Sequence, residues 1–140
     1  MKNILIINGH PNKDSFNFAL ADAYIKGAKT TDAKVSVVTI ADLEFDPNLR
    51  FGYQKRMELE PDLQKAWELI KEADHLVWVH PVWWGGLPAI TKGFIDRLFL
   101  PGMAFKYREN SVWWDKKKKK TAHWWRCWCR ARTRLWAGAR

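Results

Sequence analysis

Cysteine is nearly missing from this 140-residue chain, and its only two, Cys127 and Cys129, stand near the C-terminus. The body therefore carries no disulfide framework, which excludes a small scaffold held together by bridges. No apolar run approaches the roughly 20 residues that span a bilayer, so no membrane span is expected. Ile4 to Ile7 is too short for a signal-peptide core, and only Lys2 precedes it as a charge. The expected setting is the cytoplasm. Acidic residues are absent beyond Asp115, where ten Lys or Arg follow within 25 positions. The formal charge of +9 thus belongs to the tail, because residues 1–115 hold fourteen basic and fifteen acidic side chains. A near-neutral body with no basic cluster argues against a nucleic-acid interface. Neither G-x-G-x-x-G nor the Walker A pattern occurs, so the common mononucleotide signatures are missing too.

What is present is a set of short, wholly apolar runs, each closed by turn formers. Asn3 to Asn8 (NILIIN) and Leu76 to Val79 (LVWV) lack polar alternation, as strands buried on both faces do. Lys34 to Ile40 is a β-branched strand. Phe16, Ala19, Leu20, Ala23 and Tyr24 recur at helical spacing behind N-cap candidates Asp14 and Ser15. Pro61 opens a second helix with Leu63, Trp67, Ile70 and Ala73 on one face. Pro88 opens a third, reaching to about Leu100, with Ile90, Phe94 and Leu98 inward. Leu43 to Leu59 has no period and reads as a long loop of the kind that often serves function. Strand, helix and strand within about forty residues make a right-handed βαβ unit. The expected class is α/β: a doubly wound parallel sheet in three α/β/α layers.

Two strand-to-helix loops carry the candidate chemistry. Gly9-His10-Pro11-Asn12 leads into Ser15-Phe16-Asn17, where the free amides and dipole of a helix N-terminus favour an anion. Ser15 offers a hydroxyl, Asn17 an amide and His10 a ring N–H, although an ordinary cap and a turn histidine would use the same residues. The second loop, Pro81-Val82-Trp83-Trp84-Gly85-Gly86, presents broad aromatic faces beside glycines, although core tryptophans and a plain turn would read alike. In a sheet that begins βαβ, strands one and three are neighbours, so both loops border one crevice. A phosphate site at one end and an aromatic wall at the other describe a flavin nucleotide. His75 reads as a strand-entry residue and His80 as one placed to pack under the ring or line the pocket, although an ordinary buried histidine is the commoner reading of either.

The segments GHP…DSFNFALADAY (9–24), DLEFDPN (42–48), ADHLVWVHPVWWGGLPAITKGFIDRLF (73–99) and MAFKY (103–107) are similar to those of a known family. Over residues 1 to about 115 the chain resembles the flavodoxin-like NAD(P)H:quinone oxidoreductases of the DT-diaphorase type and their bacterial relatives. The resemblance implies that His10, Ser15, Phe16 and Asn17 contact the flavin's phosphates and ribityl chain. It implies that Pro81, Val82, Trp83, Trp84 and Gly85 lie along the isoalloxazine. It further implies FAD or FMN, with FAD favoured, and NAD(P)H as co-substrate. A quinone-like acceptor would take the hydride through flavin N5, in a homodimer. No catalytic side chain and no metal ligand is assigned, since Cys127-x-Cys129 supplies too few ligands for zinc.

The resemblance ends at the tail. Residues 1–115 read as an incomplete flavin-binding domain and 116–140 as a basic, Trp/Arg-rich extension in which six of the ten tryptophans follow residue 112. The five-lysine run reads as the start of an out-of-frame tail, which translating the coding DNA in its other frames tests. On that reading the fold stops after the third strand–helix unit, no fourth strand follows, and the Leu76–Val79 strand becomes an exposed edge. A non-catalytic remnant that binds no flavin is then the alternative, and a nucleic-acid binder acting through the tail is a third reading.

Overall fold

The computed structural model describes residues 2–102, 104–107, 114–116 and 121–127. Strand β1 (Lys2–Asn8) leads through a loop to helix α1 (Phe16–Ala28), then strand β2 (Ala33–Thr39) and a short 3-10 turn (Ile40–Asp42). After the long loop come helix α2 (Pro61–Glu72), strand β3 (His75–Pro81) and helix α3 (Ala89–Leu98). Three further strands follow, β4 (Phe105–Tyr107), β5 (Trp114–Lys116) and β6 (Thr121–Cys127). The main sheet has the order β2-β1-β3-β6 with every pair parallel, and β4 and β5 form a separate antiparallel pair.

The period of two along β1 and β3 builds two cores. Leu5, Ile7, Leu76 and Trp78 face α2 and α3, where they bury Leu63, Ala66, Ile70, Phe94 and Leu98. The intervening Ile6, Val77 and Val79 face α1 and meet Ala21, with Leu20, Tyr24 and Ile25 packed around them. Strands clothed on both faces must be apolar throughout, which is why NILIIN and HLVWV show no alternation. The expected α/β/α layering is present.

Two expectations need correction. The sequence leaves β3 as an edge with no strand beyond it, yet Thr121–Cys127 lies parallel along its full length, Thr121 opposite His75 and Cys127 opposite Pro81. An all-apolar strand edge is a strong template for pairing, and Thr and Trp suit the extended backbone it selects. The lysines at 117–120, Cys129 and the last tryptophans lie outside the described residues. On α1 the buried positions are Asn17 and Ala21, while Phe16 is 65% exposed. The helix is turned so that a polar residue, not the phenyl ring, enters beneath the first loop.

The long loop is tied to α3 by Arg97, whose side chain is wholly buried. Its two terminal nitrogens pair with both Glu60 carboxylate oxygens (Nη1–Oε1 3.0 Å, Nη2–Oε2 2.8 Å). Nη2 also donates to the Glu58 carbonyl (2.8 Å), and Nη1 donates to that of Asp46. A planar fork fits this arrangement as no ammonium could. Burial pushes the Glu60 carboxyl up, but the hydrogen bonds from Arg97 and from backbone amides outweigh it and hold it below its usual 4.5.

Candidate functional site

The site lies where β1 and β3 end side by side. Their register runs from Ile4 opposite His75 to Asn8 opposite Val79, so the loops leaving them start as neighbours. Gly9 fastens the first loop. Its N–H donates to the Val79 carbonyl (2.8 Å), and its own carbonyl accepts from Thr91 Oγ1 on α3 (2.7 Å). A Cβ at Gly9 would stand 2.4 Å from that hydroxyl oxygen, so no larger residue fits. Asn8, buried at the strand end, accepts the His10 N–H on Oδ1 (3.1 Å). The backbone of Asn12 covers His10 Nδ1, at 2.9 Å from its nitrogen and 3.0 Å from its oxygen. Nε2 is the ring nitrogen left for a ligand.

Polar groups at the start of α1 remain unpaired. Ser15 takes the N-cap position without making a side-chain cap. Its Oγ is buried and has no hydrogen-bond partner among the described residues, and neither have Asn17 Nδ2 and Asn8 Nδ2. Buried donors without partners are rare and call for an explanation at each occurrence. The Phe18 N–H already turns back to the Ser15 carbonyl (3.0 Å), which leaves the first two amides of α1, those of Phe16 and Asn17, without an intrahelical acceptor. Together these groups fit a ligand bearing a phosphate and hydroxyls.

The second loop is a miniature hairpin. Trp83 and Gly86 exchange both backbone hydrogen bonds, at 3.0 and 2.9 Å. The two residues between them have positive φ, +51° at Trp84 and +76° at Gly85, the sign pattern of a type I′ turn. Glycine is at ease there, whereas a bulky residue is strained. The tryptophans are not core residues, since Trp83 is 43% exposed and Trp84 fully so. Pro81 is buried at the end of β3 and Val82 is half-buried beside it.

The two loops meet. The His10 and Trp83 rings contact edge to face, with centroids 5.5 Å apart and planes at 79°. Of the residues singled out in the sequence, His10 and Trp83 are brought into contact, while Ser15 is half-buried and Asn17 buried at the start of α1. Phe16, Trp84 and Gly85 are exposed. His80 is buried with Nδ1 against the Pro81 carbonyl (2.9 Å). Sequence reasoning placed Gly9 in the first loop but missed the frame that holds it there, Asn8 and Thr91. The one signal for it was a polar residue ending an apolar strand directly before a glycine. Among the described residues, no cluster of three or more His, Cys, Asp or Glu could hold a metal, and no helix is long and apolar enough to cross a membrane.

Comparison with known proteins agrees with this architecture. The chain is 30% identical over 127 residues to NAD(P)H dehydrogenase [quinone] 1 of Cavia porcellus, covering 76% of this chain and 46% of that protein. It is 32% identical over 108 residues to an uncharacterized NAD(P)H oxidoreductase of Haemophilus influenzae, covering 74% of this chain and 54% of that one. The chain thus spans about half the length of these curated relatives. Among solved structures, Smu.1420 of Streptococcus mutans superposes with a TM-score of 0.72 at 35% identity, over 89% of this chain and 66% of that one. The NAD(P)H:quinone oxidoreductase of Methanothermobacter marburgensis does so with a TM-score of 0.66 at 26% identity, over 76% and 57%. The family model described as the flavodoxin-like fold matches residues 2–124, running into β6. The chain belongs to the flavodoxin-like fold family.

Proposed function

We propose that this chain is a flavin-dependent NAD(P)H oxidoreductase that passes hydride to a quinone or similar acceptor. One observation carries the reading. The polar loop at His10 and the aromatic loop at Trp83 touch, so a single ligand can span a phosphate site and a ring-binding edge. The names of the relatives, NAD(P)H dehydrogenase [quinone] and NAD(P)H oxidoreductase, support the same chemistry. When bound, a flavin supplies the hydride acceptance and donation that no amino-acid side chain can.

The protein's part is placement. Ser15 Oγ, Asn17 Nδ2 and the first amides of α1 would hold the phosphate, with the helix dipole favouring its charge. His10 Nε2 would reach the ribityl or phosphate oxygens. The backbone from Pro81 to Gly85 would run along the ring, and its N–H groups would steady the N5 and O4 edge. Trp83 would wall the pocket and keep water from the reacting face. FAD ahead of FMN, a homodimer and a cytoplasmic setting complete the reading, with residues 1–115 as the flavin-binding unit, its sheet extended by β6 out of the 116–140 tail.

The visible spectrum tests it. A purified chain that is yellow, or turns yellow with FAD or FMN, and that bleaches on adding NAD(P)H supports the enzyme. A chain that stays colourless with either flavin is the non-catalytic remnant instead.

A further inference from the structure

We infer that Thr91 is a positioning residue that sets the separation between the two loops of the site. Thr91 is wholly buried on the first turn of α3, five residues beyond Gly86, the last residue of the tryptophan hairpin. A helical threonine ordinarily turns its hydroxyl to a carbonyl of its own preceding turn. Here Oγ1 donates to the Gly9 carbonyl, 82 positions away in sequence (2.7 Å). Its methyl fills the space on the same residue, lying 2.9 Å from where a Gly9 Cβ would be.

The consequence is mechanical. Gly9 is held on one side by β3, through the Val79 carbonyl, and on the other by α3, through Thr91. The next residue is His10, whose ring meets Trp83. The helix that carries the aromatic loop therefore grips the peptide that carries the polar loop. Without the hydroxyl the Gly9 carbonyl loses its buried partner and the His10 turn loses its fixed distance from the hairpin. A ligand spanning both loops would feel that change at once, because small misplacements cost binding steeply.

The cofactor arm of this proposal rests on the flavin reading above, so the test has a second arm that does not. Thr91→Val keeps the shape and removes the donor, and Thr91→Ser restores the donor. In the full chain without flavin, Thr91→Val should speed amide hydrogen exchange at Gly9 and His10 by about tenfold or more, and Thr91→Ser should leave it within about twofold. In flavin titrations Thr91→Val should weaken affinity by about tenfold and alter the visible circular dichroism of the bound ring. Thr91→Ser should restore both. Unchanged exchange in Thr91→Val overturns the clamp. Normal exchange at Gly9 in Thr91→Ser, together with fast exchange in Thr91→Val, upholds it even if the wild-type chain takes no flavin, in which case only the flavin reading falls. Equal flavin affinity and dichroism in Thr91→Val and wild type would reduce Thr91 to a space filler.

Discussion

The α2–α3 side of the sheet and the rim where β1 and β3 end obey opposite rules. Beneath α2 and α3, twelve residues form one buried cluster, with Trp78 edge-on to Phe94, and Arg97 uses both terminal nitrogens on fixed partners, its Nε alone being unpaired there among the described residues. At the rim, Ser15, Asn17 and Asn8 keep buried polar atoms unpaired among the described residues, two tryptophans stand in solvent, and one of them has positive φ. The first region is arranged for stability. The second forgoes stability at several adjacent residues, which is where natural sequences break folding rules for the sake of a site.

Breaking the interior should have the largest effect. Trp78→Ala should destabilise the fold by about 3–5 kcal/mol, read by chemical denaturation. Arg97→Ala should cost about 3 kcal/mol, because it strands Glu60 and two carbonyls. The same pair gives a pH signature. The Glu60 carboxylate titrates below its usual 4.5 in the folded chain, so its contribution is complete above that value and is lost as pH falls through the lower folded one. Glu60→Gln should flatten that acid-side loss in a denaturation series from pH 6 to pH 3.

At the rim the signs change. Trp84→Asn places Asn-Gly at the centre of the I′ turn and should raise stability by about 1 kcal/mol, seen as a higher denaturation midpoint. Ser15→Ala should alter stability by no more than about 0.5 kcal/mol, since it removes a hydroxyl with no partner among the described residues. The same substitution should weaken flavin affinity about tenfold. If Ser15→Ala costs as much stability as an interior substitution, the contrast between the regions fails.

The contrast also explains what could be read from the sequence. Strands β1 and β3 were legible because burial on both faces demands unbroken apolar runs, and β2 because its residues are largely β-branched. Both loops were legible because turn formers cluster in them, Gly9 and Pro11 in the first and Pro81, Gly85 and Gly86 beside two tryptophans in the second. The inward turn of Asn17 was not, because helical periodicity counts apolar residues and the buried residue here is polar. Arg97 was hidden for the same reason: a charge among Phe94 and Leu98 reads as solvent-facing until Glu60 and Asp46 arrive from a loop without any period. Strand β6 escaped notice because its pairing is dictated by the edge of β3, forty residues away, and not by alternation within THR-ALA-HIS-TRP-TRP itself.

The central claim is that one ligand is held at opposite ends by two loops from different strands. Titrating FMN into the nitrogen-15-labelled chain while following backbone amides tests it directly. The amides of Phe16 and Asn17 should shift together with those of Gly85 and Gly86, all fitting a single Kd. Shifts confined to one loop, or two loops that titrate with different constants, would contradict it.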